Sequence, residues 1–464
     1  MGSVPGGELK AGFGRSAAWP GRSGAFVLCA LFVFLLSGFA KASSPGEELT
    51  VYLMTMGPGE HPFTKFGHSA IWVHDARQQR DQIYNYGTFA FDSRTLLLDS
   101  VQGKLPYWLS LQSLSATLRT YGAQRRSLLA SELDLTPKER AELYAALREN
   151  ERPEHRYYRY DYYRDNCATR IRDVIDRFVA GQVRAQSQQP ASMSFRSHTL
   201  RLVADDPLLY AGLDVAVGRQ TDAPITFWDE GFLPQKLHDL LAHTRVQRDG
   251  SERPLIRSER LLLDGQIPAP RSQPPDWSAR AALLGLGLGA ALAALGALSR
   301  TLRAARRALA LVYLALGLGL GLLGSALTYL TFFSAHSAAA SNYNVLLVPP
   351  WLLMLCVCSV GIWQGRPRSV AAVRWLTSSA LLASVVALAL HAFTRNAQNN
   401  VQELLVALPL WLGATLSAFL ASSPTLGRAA AWSARAKLSV FSTTTPKAVP
   451  ISIGTRDHQQ TKNP

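Results

Sequence analysis

The chain contains four cysteines, and position sets one apart. Cys29 lies in an apolar N-terminal run and Cys356 and Cys358 in a later apolar stretch, so Cys167 has no partner within its own segment. It follows Asp165-Asn166 and opens the stretch 167–180, where Ile171, Val174, Ile175 and Phe178 recur at helical spacing. A thiol at a helix N-terminus meets unsatisfied N–H groups and the positive end of the dipole, which favour the thiolate. An unpaired thiol in an oxidising compartment is a liability unless its reactivity is used. The competing reading is a buried Cys acting as a small apolar residue. If a His accepts its proton, the thiolate can attack an acyl carbonyl while helix-start N–H groups stabilise the oxyanion. His68, between Gly67 and Ser69 at the start of an apolar run, is the candidate base, with His61 and His74 as rivals. A third polar group must hold the imidazole, and Asn85 on the next strand is the candidate, with Tyr84 and Tyr86 as fallbacks. Without further support, a lone His on a strand is more often a satisfied structural residue.

These side chains need a sheet and a helix to position them. The run 49–56 (LTVYLMTM) is apolar and β-rich and stops at Gly57-Pro58-Gly59, a turn signal. The stretches 66–75 and 82–89 read as the second and third strands, carrying His68 and Asn85. Helices are expected at 112–120 and 137–150, the latter opened by Thr136-Pro137 with Glu139 at the capping-box position. Asp165 is the expected cap of the Cys167 helix. Arg159, Arg164, Arg170 and Arg172 surround Cys167. They could hold a phospholipid phosphate or raise the thiolate fraction, although for Arg170 and Arg172 a solvated face paired with Asp173 and Asp176 is preferred. Tyr157, Tyr158, Tyr160, Tyr162 and Tyr163 fit either a bilayer interface or an alternating strand. The stretch 227–234 reads as a packed loop, and Asp222 and Asp229 as structural carboxylates.

The chain has 464 residues, 48% of them hydrophobic, and a net charge of +15. In a soluble protein that excess would point to nucleic acid. Here Arg and Lys cluster beside apolar spans, as the positive-inside rule requires, so no nucleic-acid partner is expected. There is no zinc-type Cys/His spacing and no phosphate-binding Gly loop; neither metal nor cofactor is expected. Lys10, Arg15 and Arg22 precede an apolar run at 25–39, and Ala40-Lys41-Ala42 follows, so 1–42 reads as a signal peptide or an uncleaved anchor. Leu28 before Cys29 does not fit a lipoprotein signal. An exported domain is expected at 43–267, a Pro-rich linker at 268–279, a transmembrane domain at 280–422 and a basic cytoplasmic tail at 423–464. Five apolar stretches, 280–298, 308–333, 345–363, 375–394 and 403–421, are each long enough to span. The GLGLG runs at 285–289 and 317–321 read as helix-packing surfaces. Arg300, Arg303, Arg306 and Arg307 follow the first span, Arg366, Arg368 and Arg374 the third, and Arg428, Arg435 and Lys437 the fifth. With basic loops inside, 43–275 and the loops near 334–344 and 395–402 lie outside. The outer loop carries His336, Asn342 and Asn344, either polar helix caps or a site for a lipid headgroup or acyl chain.

FGHSAIWVHD, YNYGTF and YRDNCATRIRD together resemble circularly permuted papain-like thiol enzymes of the lecithin:retinol acyltransferase type, in which the His strand precedes the Cys helix. A closer resemblance is to the Lnb family, named for lipoprotein N-acyltransferases of Bacteroides. It is carried by YLMTMGPG, FGHSAIWV, YNYGTFAF, GKLPYWL, YRYDYYRDNCATRIRD and TFWDEGFLPQKL, and by HSAAASNYNVLLVPP in the five-span region. The resemblance implies an α+β, permuted papain-like exported domain followed by an all-α five-helix membrane domain, in the bacterial inner membrane with the catalytic part periplasmic. It further implies a transacylase in which Cys167 takes an acyl chain from a phospholipid and passes it to a lipoprotein's N-terminal amine, with His68 as base. Asn85 as orienting residue, and Tyr86, Arg164, His336, Asn342 and Asn344 as substrate contacts, are structural expectations. A Cys/His hydrolase of the envelope (a peptidase or amidase) and a non-enzymatic envelope protein are the alternatives.

Overall fold

The computed structural model describes residues 44–90, 95–395 and 397–422. The signal or anchor expected at 1–42 and the tail expected at 423–464 lie outside them. Among the described residues, seven strands form one sheet in the order β6-β4-β3-β2-β1-β5-β9. They are β1 (Leu49–Met56), β2 (His68–Asp75), β3 (Arg80–Thr88), β4 (Pro106–Gln112), β5 (Leu128–Leu133), β6 (Tyr157–Arg159) and β9 (Ile256–Leu263), every neighbouring pair antiparallel. A separate hairpin joins β7 (Arg245–Arg248) to β8 (Ser251–Pro254). The helices of this part are α1 (Leu96–Gln102), α2 (Leu114–Ala123), α3 (Pro137–Glu151), α4 (Cys167–Phe178), α5 (Gln182–Ala185), α6 (Phe195–Leu202), α7 (Pro207–Ala216), α8 (Phe227–Glu230) and α9 (Pro234–His243).

Successive strand side chains point to opposite faces. Leu53, Ile71, Val73 and Tyr84 therefore pack with α3, α4 and α9, while Met54, Ala70, Trp72 and Ile83 pack with α2. A sheet covered on both sides buries nearly every strand residue, which is why 49–56 is continuously apolar rather than alternating. α3 starts as expected: the Thr136 hydroxyl accepts from the Glu139 N–H at 3.3 Å, and the Glu139 carboxylate accepts from the Thr136 N–H at 2.8 Å.

Five membrane-spanning segments follow: α10 (Ser278–Leu298), α11 (Arg303–Phe332), the segment Tyr343–Trp363 ending in α12 (Met354–Trp363), α13 (Pro367–Phe393) and α14 (Val401–Ser422). The architecture is thus α+β followed by a five-helix transmembrane domain. The third span departs from a continuous helix, beginning with 3-10 turns at Tyr343–Leu346 and Pro350–Leu353. Pro349 and Pro350 lack the N–H groups an α-helix needs, and such backbone survives at membrane depth only where protein covers it. Glycine provides the cover. A Cβ on Gly324 of α11 would sit 1.8 Å from the Val348 carbonyl oxygen. The first GLGLG run acts alike: Cβ atoms on Gly285 and Gly289 would sit 2.3 Å from the Leu405 and Pro409 carbonyl oxygens of α14, whereas Gly287 points into open space.

The two parts are stitched through the outer loops. The Ala335 N–H donates to the Gln102 carbonyl at 2.8 Å, and Arg159 Nη2 to the Ala335 carbonyl at 2.7 Å. The Ser337 hydroxyl bonds the Asp161 carboxylate. Asn342 Nδ2 donates to the carbonyls of Val215 and Ala216 at 2.8 and 3.0 Å, and Asn344 Nδ2 to Val215 at 3.1 Å.

Candidate active site

Cys167 is the first residue of α4, and its cap is Asn166 rather than the expected Asp165. Asn166 Oδ1 accepts from the N–H groups of Ala168 and Thr169 at 2.8 and 2.9 Å, and Nδ2 donates to the carbonyls of Tyr162 and Phe232 at 2.8 and 2.9 Å. An amide does both; a carboxylate could not donate, and it would put negative charge beside the thiol. Asp165 instead grips Arg170 through both oxygens, at 2.6 and 2.8 Å, and the Arg170 guanidinium stacks 3.6 Å from the Tyr158 ring centroid. Arg172 pairs with Asp173 at 2.8 Å and stacks on Trp228 at 4.0 Å.

His68 opens β2 opposite Met56, and Asn85 lies on β3. His68 Nε2 and Asn85 Oδ1 are 3.2 Å apart, and Asn85 Nδ2 donates to the Ile83 carbonyl at 3.3 Å. With the amide nitrogen committed to a carbonyl, the amide oxygen faces the ring. Nε2 then carries the proton and Nδ1 keeps its lone pair. Strand alternation puts Tyr84 and Tyr86 on the opposite face, in the core with α4. Among the rival bases, His61 caps a surface 3-10 turn and His74 pairs with Asp81 at 2.9 Å at the far end of β2.

His68 and Cys167 share the wall of a cavity of about 410 Å³. Gly87 opens it: its φ of +87° follows the bulge between Asn85 and Thr88, and a Cβ there would meet Cys167 Cβ at 3.5 Å and Tyr160 Cε2 at 3.3 Å. The rest of the wall is largely apolar. Rings pass from Phe63 to Phe89, Tyr107, Tyr160 and Tyr162 at centroid separations between 4.2 and 5.9 Å, and Tyr162 stacks on His336 at 5.9 Å. Leu330 near the outer end of α11 and Ala338 and Ala339 of the outer loop complete it, so the cavity runs from the thiol to the membrane domain.

The electrostatics reverse the expectation of a resting thiolate. Burial pushes the Cys167 thiol up, against the opposing pull of the N–H groups of Ser69, Ala168 and Cys167 and the charge of Arg126. Burial, aided by Arg126, lowers His68 to about 4, while its bond to Asn85 works the other way. The resting pair is a neutral thiol beside a neutral imidazole, because desolvation outweighs the helix-terminus field. Composition gave no sign of Arg126. It is buried, with Nε donating to the Gly57 carbonyl at 2.8 Å and the guanidinium 4.7 Å from the Tyr121 ring centroid.

Of the other expected substrate contacts, His336 is in the wall, its Nε2 2.7 Å from the Ser100 carbonyl oxygen. Tyr86 is not: it is 2% exposed, and its hydroxyl accepts from Asn150 Nδ2 at 2.9 Å. Arg164 is exposed and outside the wall, and Asn342 and Asn344 are occupied in joining the two parts of the chain. A family model described as the Lnb N-terminal periplasmic domain matches residues 37–206, and one described as the Lnb transmembrane domain matches residues 287–423. No curated protein and no solved structure matches the chain.

Proposed function

The chain belongs to the Lnb family, and on that premise we propose that it is a thiol acyltransferase, moving an acyl chain from a phospholipid through a Cys167 thioester to the N-terminal amine of lipoproteins. Its two family domains and five spans point to a membrane-anchored periplasmic enzyme of lipoprotein processing, multi-pass in the inner membrane with the sheet domain periplasmic. One observation carries the finer reading: His68, oriented by Asn85, and Cys167 flank an apolar cavity whose far wall is made by the membrane domain.

In the first half-reaction, His68 Nδ1 accepts the thiol proton as sulfur attacks the ester carbonyl of the phospholipid. The N–H groups of Ser69 and Cys167, which approach the sulfur, are available to the oxyanion. Collapse breaks the ester C–O bond; the lysophospholipid oxygen leaves with the proton held on His68, and the acyl group stays on sulfur. In the second, the lipoprotein amine attacks the thioester, His68 takes a proton from nitrogen, and the thiol is restored as the amide forms. A neutral resting pair suits this order, since proton transfer accompanies attack. An acyl chain kept among Phe63, Phe89, Tyr107 and Leu330 avoids exposure to water worth about 0.8 kcal/mol per CH₂. The same walls limit the access of water to the thioester, which favours transfer over hydrolysis.

The test is mass spectrometry of lipoprotein N-terminal peptides in a strain lacking other N-acyltransferases. Expression of the wild-type chain should add an N-linked acyl group, and Cys167→Ser should abolish it. Unchanged peptides with the wild-type chain would rule the proposal out.

A further inference from the structure

A second cavity, of about 380 Å³, lies across α7 from the catalytic one. Leu209 and Leu213 of that helix face the Cys167 cavity, whereas Tyr210, Asp214 and Val215 face the second. Deeper in, the walls are aliphatic side chains of spanning helices: Leu284 of α10, Leu320 and Leu323 of α11, and Val406 and Leu410 of α14. Leu284 and Leu323 are exposed on the outside of the bundle, so the groove is open sideways to lipid. Its surface is almost entirely apolar, and the polar residues that line it sit at its outer end: Arg280 exposed on the first turn of α10, and Gln402 and Glu403 on α14, with Trp277 packed 4.5 Å from Tyr210 at the level where interfacial aromatics sit.

The charge balance at that end is incomplete. Buried Arg196 donates to Asp214 Oδ1 at 2.8 Å and to Asp222 Oδ1 at 2.9 Å, and the Asp214 carboxyl shares a hydrogen bond with Glu403. Glu403 Oε2 and Asp222 Oδ2 are buried without a hydrogen-bond partner. Even with a proton held between Asp214 and Glu403, three carboxyls outweigh one guanidinium. Asp222 also feels the charge of His391 on α13 and a backbone N–H of Asn399, and Arg280 lines the groove. Uncompensated buried charge is costly. A ligand bringing a cation to Glu403 would relieve it, and a ligand that also carried an anion would meet Arg280.

We propose that this groove binds a second amphiphile, a phospholipid with a primary-amine headgroup such as phosphatidylethanolamine. The ammonium lies against Glu403 and Asp214, the phosphate against Arg280, and an acyl chain along α10, α11 and α14. The site is separate from the catalytic cavity and does not depend on acyl transfer, so binding is read with turnover blocked by Cys167→Ala. Full-length protein is reconstituted in nanodiscs of equimolar phosphatidylethanolamine and phosphatidylglycerol, released, and its retained lipids are counted by native mass spectrometry. Phosphatidylethanolamine should be enriched, and Glu403→Gln and Arg280→Ala should each reduce that enrichment roughly tenfold, the loss of one charge-assisted contact. Arg280 is exposed, so its variant reports even if Glu403→Gln fails to fold. Equal retention of the two lipids, or an Arg280→Ala protein indistinguishable from its parent, would overturn the assignment.

Discussion

Asn85 determines which nitrogen of His68 is available, and its own amide is oriented by the Ile83 carbonyl. Asn85→Ala should therefore lower kcat by roughly 10²-fold, the scale of a misplaced general base, with KM little changed; steady-state kinetics would show the split. The depressed His68 value carries a sign. In the proposed mechanism the base is neutral imidazole, present above its pKa, so activity should persist well below pH 6.5 and be half-lost only near pH 4. Arg126→Met removes a charge that lowers His68, so the acid limb of kcat/KM should move to higher pH in that variant. An unmoved limb would show that Arg126 does not act on the base. Cys167, His68 and Asn85 were named from residue type and from their places at a helix start and on neighbouring strands. Arg126 could not be, because its effect depends on burial, and for the same reason the thiol reverses the helix-terminus expectation.

At the scale of elements, α4 depends on an amide cap. Asn166→Asp should keep the helix start but set a carboxylate beside Cys167, pushing the thiol further up and slowing alkylation at fixed pH; faster alkylation would contradict the electrostatic role. Gly87 lies where β3 passes Cys167 at a positive φ. Gly87→Ala should cost about 1–3 kcal/mol in thermal or denaturant unfolding and narrow the cleft. β1, β2, β3 and α3 were legible because apolar runs and the Thr136-Pro137-x-Glu139 start are local signals. β6 is three residues of a Tyr/Arg stretch, and β9 pairs with β5 across most of the domain; neither carries a local signature. The uneven third span follows from Pro349-Pro350, which hydropathy averages over.

At the scale of the molecule, the five spans among the described residues are more than anchorage requires, and their outer loops help build the cavity beside Cys167. Asn342 and Asn344 illustrate what single-sequence reading misses. Amides in an outer loop read equally as ligand contacts or as structural ties, and only the position of α7 distinguishes the two. Asn342→Ala should cost about 2 kcal/mol through the carbonyls of Val215 and Ala216 it leaves unpaired, visible as earlier release of the sheet domain in limited proteolysis. The central claim is covalent chemistry at one sulfur beside the bilayer. The most direct measurement is the intact mass of the full chain after incubation with vesicles of a single phospholipid and no lipoprotein acceptor. One acyl mass should be gained on Cys167, removed by neutral hydroxylamine and absent in Cys167→Ala. An unmodified mass, or an adduct that survives hydroxylamine or forms equally on the Ala variant, would contradict the acyl-thioester.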